Sequence, residues 1–155
     1  MYATYEFYTD DYYGDDIPQE SFNKYADRAS DYIDTLTFDR LVDKFPENER
    51  TQVKIRKAVC NIAEVIYNID MLRKQSLSST GSIQQEDGTV TGKTVTSVSS
   101  GSESISYSAS AALSSVYTTA ATDKSAEKAL LRDTAMQYLS RLTDDDGRNL
   151  LYAGL

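Results

Sequence analysis

Residues 49–75 read ERTQVKIRKAVCNIAEVIYNIDMLRKQ, and this stretch decides the fold. Apolar side chains recur in it at three- and four-residue steps, which is the period of an α-helix. The main stripe consists of Ile55, Val59, Ile62, Ala63, Ile66 and Ile69, and a flanking stripe consists of Val53, Cys60, Tyr67 and Met71. An apolar face this broad predicts a long helix that packs against more than one neighbour.

Helical patterns lie on both sides of this central helix. Residues 16–36 repeat apolar side chains at the same steps, with Asp16 as the predicted N-cap and Pro18 in the first turn. Downstream, residues 113–120 allow a short, weak helix and residues 124–142 predict a firm one. The fold class is therefore mainly α, a small helical bundle.

A short helix is predicted between the two long ones. Thr37 has the side chain of an N-cap residue, and Pro46 ends the segment. The residues expected to point inward are Phe38, Leu41, Val42 and Phe45.

The composition changes abruptly at Ser76, and almost half of residues 76–122 are Ser or Thr. Such a bias is compatible with a disordered linker. However, residues 104–110 alternate apolar and Ser side chains, residues 89–99 are rich in Thr and Val, and Ser100-Gly101-Ser102 suits a turn between them. We predict a long β-hairpin arm over residues 81–108, inserted before the last helix, which contacts another subunit through Val95, Val98, Ile105 and Tyr107.

The two ends of the chain differ from the bundle. Residues 1–16 form a Tyr- and Asp-rich segment, which suits either a surface that packs on a partner or an extended strap over the chain's own helices. We divide the chain into this segment and a single domain over residues 17–155. Asp144–Asp146 with Gly147 end the last helix, and residues 147–155 form an extended, apolar tail. We expect the tail to bind a groove on another protein or subunit through Leu150, Leu151, Tyr152 and Leu155.

The composition excludes several chemistries. The chain has no histidine and one cysteine, so it lacks a His-dependent catalytic triad, a histidine metal site and an internal disulfide. Cys60 is expected to be a buried apolar residue. The acidic clusters lack the spacing of a calcium loop, and the sequence contains no complete phosphate-binding loop. We predict no cofactor, no metal and no enzymatic activity.

The charge and hydropathy also limit the partners. The net charge is −8, and no basic cluster is large enough to predict tight nucleic-acid binding. No stretch reaches the about 18–20 apolar residues that span a bilayer, and the first residues do not resemble a signal peptide. These features predict a protein of the cytoplasm, without a membrane partner.

The order of several short segments resembles the head–tail connector (adaptor) proteins of long-tailed bacteriophages and prophages. The segments are IPQESF at 17–22, ASDYID at 29–34, TFDRL at 37–41, VTSVSSGSESISYS at 95–108, Tyr138-Leu139 and GRNLLYAG at 147–154. The resemblance begins near residue 17 and runs to the end of the chain. It does not include residues 1–16 or 109–122.

This resemblance implies a structural virion protein of the phage neck, made in the host cytoplasm. Copies of such a protein form a ring, commonly of twelve, beneath the portal protein, which the C-terminal tail would contact. The ring extends the channel for genomic DNA without reading its sequence, and it receives the next neck or tail completion protein. The acidic charge suits a channel wall to which DNA does not adhere.

Two other classes of protein share some of these features. A non-catalytic helical adaptor or regulatory binding module would have the same amphipathic helices but would stay monomeric or dimeric. A surface or adhesin module would explain the Ser/Thr-rich region, but it would normally carry an export signal.

Overall fold

The computed structural model describes residues 1–84, 90–94, 97–100, 103–106 and 116–151, with side chains for residues 1–76 and 116–151. Six helices occur within these residues, which confirms the mainly α prediction. They are α1 (Tyr5–Asp10), α2 (Gln19–Leu36), α3 (Arg40–Asp43), α4 (Glu49–Ser79), α5 (Val116–Thr122) and α6 (Lys124–Leu139). None of the described helices is both long and apolar enough to cross a membrane.

Helix α4 is the centre of the bundle, as its broad apolar face predicts. It contacts α1, α2, α5 and α6. Its main stripe is buried at Ile55, Val59, Ile62, Ala63 and Ile69, and Ile66 packs at the edge of the same core. The flanking stripe is only partly covered. Cys60 is fully buried as predicted, whereas Val53 and Met71 remain about 40% exposed.

Four strands follow α4 in the described residues. Strand β1 (Thr80–Gln84) pairs antiparallel with β2 (Val90–Thr94), with Thr80 opposite Thr94. Strand β3 (Ser97–Ser100) pairs antiparallel with β4 (Glu103–Ser106), with Val98 opposite Ile105. The arm over residues 81–108 extends outside the described residues, which include neither Val95 nor Tyr107. It therefore stays a prediction.

Residues 1–16 are part of the bundle rather than an extended strap. Thr4 caps α1, because its hydroxyl accepts a hydrogen bond from the backbone N–H of Phe7 at 3.3 Å. Ala3, Phe7 and Tyr8 are buried in the same core as α2 and α4. The segment therefore packs on the chain's own helices, which is one of the two alternatives given above. It does so as a helix and not as an extended strap.

The ends of α2 differ from the sequence prediction. Asp16 does not cap the helix, because α2 begins at Gln19 with Pro18 at the N-cap. Thr37 ends α2 instead of starting the next helix, since its hydroxyl donates to the carbonyl of Ile33 at 2.9 Å. The following helix, α3, is only one turn long.

The inward positions predicted for this short helix are only partly correct. Leu41 is buried and Phe45 packs against the core. Phe38 and Val42 are exposed, by 55% and 64%. Phe38 points outward because it precedes α3 in a left-handed backbone conformation, with φ of 56°. A helical period that starts at Thr37 therefore does not predict the direction of the Phe38 side chain.

Helix α5 is fixed to α4 by one arginine. The Arg73 guanidinium donates to the carbonyls of Ala120 and Ala121 at the end of α5, and it forms an ion pair with Glu127 of α6 at 2.8 Å. These contacts satisfy carbonyls that have no partner within a helix of this length. Arg73 thus joins α4 to both α5 and α6.

Candidate interaction surface

The last described residues form a tightly bonded turn after α6. Thr143 and Asn149 form an antiparallel bridge, and the Leu150 N–H donates to the carbonyl of Leu142 at 2.9 Å. The Asp144 carboxylate accepts from the N–H groups of Asp146 and Arg148. Gly147 supplies the left-handed conformation that the turn requires, with φ of 81°. This geometry gives Asp144 a structural role.

A second group of contacts joins this turn to the segment after α3. The Asp145 carboxylate accepts from the backbone N–H of Glu47 at 2.9 Å and pairs with the Lys44 ammonium at 3.0 Å. These hydrogen bonds lower the pKa of Asp145 below its ordinary value. The Arg40 guanidinium donates to the carbonyl of Asn149 at 2.9 Å. Within the described residues, no group of three acidic or thiol side chains is arranged to hold a metal ion.

The structure assigns different environments to the predicted tail residues. Leu150 is 1% exposed and belongs to the chain's own core. Its side chain is therefore not free to enter a groove on another protein in this conformation, because the turn folds it back onto the bundle. Leu151 is half-buried at the edge of the core. Tyr152 and Leu155 lie outside the described residues, as do Val95 and Tyr107 of the arm.

Leu151 lies beside an apolar groove, which we call the tail-exit patch. It is lined by Thr35, Leu36, Phe38, Arg132, Met136 and Leu151, and its volume is about 300 Å³. Phe38 is its most unusual member, because a bulky side chain in the left-handed region costs about 1–2 kcal/mol. Asp39 is also left-handed, with φ of 61°. Strain of this kind is typical of positions where the backbone serves a function.

Sequence reasoning missed one polar site, in which Glu64 is held by two tyrosines. The hydroxyls of Tyr8 and Tyr12 donate to its two carboxylate oxygens, each at 2.9 Å. Burial raises the pKa of Glu64 above its ordinary value, although the two hydroxyls oppose this shift. Burial likewise raises the pKa of both tyrosines. Two features of the sequence could have indicated this site. Glu64 is the one acidic residue in the mostly apolar run Val59–Tyr67, and Tyr8 and Tyr12 are four residues apart.

The arrangement around Glu64 has a structural role. Both carboxylate oxygens have donors, and the Tyr8 hydroxyl also accepts from the N–H of Ile17 at 3.1 Å. The site therefore fixes the N-terminal segment to α4. The tail-exit patch, in contrast, is an exposed surface that is open to an interaction.

Comparisons with known proteins were made at three levels. In comparisons with models of protein families, with curated proteins and with solved structures, no match to this chain was found.

Proposed function

We propose that this chain is a structural subunit of a phage neck, which forms a ring under the portal protein and joins the DNA-filled head to the tail. The order of sequence segments described above suggests the class. The mainly helical fold is compatible with it. In this proposal the tail over residues 147–155 and the arm over residues 81–108 make the contacts with the portal and with neighbouring copies.

The observation that carries the proposal is the tail-exit patch. Phe38 is exposed by 55% although its backbone conformation is unfavourable, and Leu151 reaches the same groove just before the chain continues to Tyr152. Exposed aromatic side chains of this kind are favoured at protein interfaces. The base of the tail is rigid, because Leu150 is anchored in the core. A rigid base that presents apolar residues is suited to repeated docking in a symmetric assembly.

The decisive experiment is reconstitution with the portal protein of the same phage or prophage. Purified subunit is mixed with portal rings and imaged by electron microscopy. We expect an added ring of density on the portal. If folded subunit adds no density, the proposal is contradicted. The helical adaptor module then remains as the alternative class of protein.

Point variants test which surface mediates attachment. Phe38→Ser and Leu151→Ser should weaken binding to the portal or to neighbouring copies about tenfold or more, because each removes a large apolar contact. Ser125→Ala on α6, which is exposed and does not line the groove, is the control. Unchanged binding of both patch variants would show that the tail-exit patch is not the contact.

A further inference from the structure

The first half of α4 carries a positively charged groove on this otherwise acidic chain. The groove, which we call the basic groove, has a volume of about 520 Å³ and is lined by Glu49, Arg50, Val53, Lys54, Lys57 and Tyr138. Val53 is 40% exposed at its floor. Among the described residues, the ion pairs involve neither Arg50 nor either lysine. The groove therefore combines an apolar floor with three cations available to an anionic partner.

The complementary charge occurs in the loop between α1 and α2. This acidic loop, residues 10–16, contains the exposed side chains of Asp10, Asp11, Asp15 and Asp16. No ion pair in the described part of the chain uses these carboxylates. Tyr13 lies at the centre of the loop, 82% exposed and left-handed with φ of 62°. The loop thus presents an aromatic ring surrounded by acids.

The basic groove and the acidic loop lie on the same face of α4. Positions 50, 53, 54, 57, 64, 68 and 71 fall within about 100° of arc around an ideal helix. The groove uses the first four of them. The loop covers the others, because Tyr12 donates to Glu64 and Asp16 lies in a cavity with Asn68 and Met71. One helix face therefore has a basic end and an acidic end.

The two ends are too far apart to neutralise each other within one chain. At a rise of 1.5 Å per residue, the cations lie about 10–32 Å along the helix from the positions that the loop covers, and Lys57 is the nearest of them. Interactions between exposed charges are largely screened beyond about 8–10 Å at physiological ionic strength. The charges at each end are therefore available to pair with those of another molecule.

We propose that two copies of this chain dimerise through this face, with their α4 helices antiparallel. A two-fold axis between the basic groove and the acidic loop brings each groove opposite the partner copy's loop, so both contacts form at once. Tyr13 of each copy then enters the other copy's groove against Val53 and Tyr138, and the aspartates meet the cations at its rim. An aromatic anchor within a polar rim is the arrangement that dominates binding at protein interfaces.

This inference does not rest on the proposed neck function. Tyr138 of the groove and Met136 of the tail-exit patch lie about 160° apart around α6, so the two surfaces face different sides. The face used by the dimer is therefore separate from the tail-exit patch.

Charge reversal tests the dimer with the full chain. The first variant is Lys54→Glu with Lys57→Glu, and the second is Asp15→Lys with Asp16→Lys. We expect wild-type protein to form a dimer in analytical ultracentrifugation, and each variant alone to dissociate with a dissociation constant raised about 100-fold or more, because like charges then face each other. An equal mixture of the two variants should form a heterodimer, since both contacts again pair opposite charges.

Two control variants distinguish a loss of the dimer interface from the effects of net charge and of misfolding. Lys124→Glu with Lys128→Glu changes the net charge equally at exposed positions of α6 and should leave the dimer intact. Tyr13→Asn removes the aromatic anchor while keeping a residue type that tolerates the left-handed backbone, and it should weaken the dimer about tenfold. Circular dichroism verifies the fold of each variant.

The alternative occupant of the basic groove is a nucleic acid. Wild-type protein that stays monomeric over a wide concentration range would overturn the proposal, as would variants that dimerise normally or a mixture that does not associate. Binding of a DNA duplex that is lost only in the Lys54/Lys57 variant, without any dimer, would assign the groove to phosphate instead.

Discussion

The Tyr12 hydroxyl donates a hydrogen bond of 2.9 Å to Glu64, which connects the N-terminal segment to the middle of the longest helix. Tyr8 donates to the other carboxylate oxygen of Glu64. Residues 1–16 are therefore fixed both by apolar burial and by a charged acceptor. Hydrogen bonds to an ionised acceptor are stronger than those between neutral groups.

Glu64 should give the stability of the protein a specific pH dependence. Its pKa in the folded state is raised above the value of about 4.3 in an unfolded chain. Between these two values the folded state binds more protons, so the free energy of unfolding falls as the pH rises through this window. Glu64→Gln should remove this contribution. The measurement is chemical denaturation of both proteins from pH 4 to 8, and a constant difference between the two curves would contradict the prediction.

Gly14→Ala should destabilise the protein strongly. A Cβ atom at this position would overlap the Tyr8 ring, which is fully buried and cannot easily move. We expect a loss of about 2 kcal/mol or more, which corresponds to a fall in Tm of roughly 4–8 °C. Gly147→Ala is the matched control, because its Cβ meets open space and only the left-handed backbone is penalised. A smaller loss at Gly14 than at Gly147 would argue against this packing.

Phe38→Gly should stabilise the isolated protein while weakening its association. Glycine removes a left-handed penalty of about 1–2 kcal/mol and costs about 0.5–1 kcal/mol in chain entropy. The expected net gain is therefore about 0–1.5 kcal/mol, measured by thermal or chemical denaturation. Val42→Gly, at an exposed position in α3, should instead destabilise the protein. A loss of stability in Phe38→Gly would mean that the ring contributes more to the fold than its exposure indicates.

Leu150 should contribute to the stability of the chain itself. Leu150→Ala should cost about 2–5 kcal/mol, because the side chain fills the hydrophobic core. Leu151→Ala should cost less, since Leu151 is only half-buried. Chemical denaturation compares the two variants. Equal and small losses would show that the turn after α6 is not part of the stable core.

Cys60 should be unreactive in the folded protein. Its thiol is fully buried, and burial raises its pKa to about 12. A reagent therefore cannot reach the sulfur, and the reactive thiolate form is scarce. A colorimetric thiol reagent should react only after denaturation. Val53→Cys combined with Cys60→Ser provides an exposed thiol on the same helix as the positive control. Rapid reaction of native wild-type protein would contradict the burial of Cys60.

The long helices could be predicted from the sequence because their apolar period extends over several turns. The stripe from Ile55 to Ile69 determined both the helix and its buried face. Short segments were less predictable. Thr37 has a side chain that can cap the start of a helix or hydrogen-bond back to the preceding turn, and only the tertiary contacts around Ile33 decide between these roles.

The polar and surface features depend on contacts that are distant in sequence. The pairing of Tyr12 with Glu64 joins residues 52 positions apart, and no local pattern specifies it. Leu150 lies in the core of the chain itself because a turn stabilised by Asp144 brings it back to the bundle, and no local pattern predicts this return. Exposure of Phe38 depends on a left-handed backbone that the residue type disfavours.

The contact of Arg73 with α5 has a consequence for how this protein can change. Arg73 bonds the carbonyls of Ala120 and Ala121, so the helices on either side of residues 80–115 are held together. For a flexible loop, each doubling of length adds only about 0.6 kcal/mol to the entropy cost of closure. The bundle should therefore tolerate segments of different length between α4 and α5. Evolution can change this segment while the helical core stays constant.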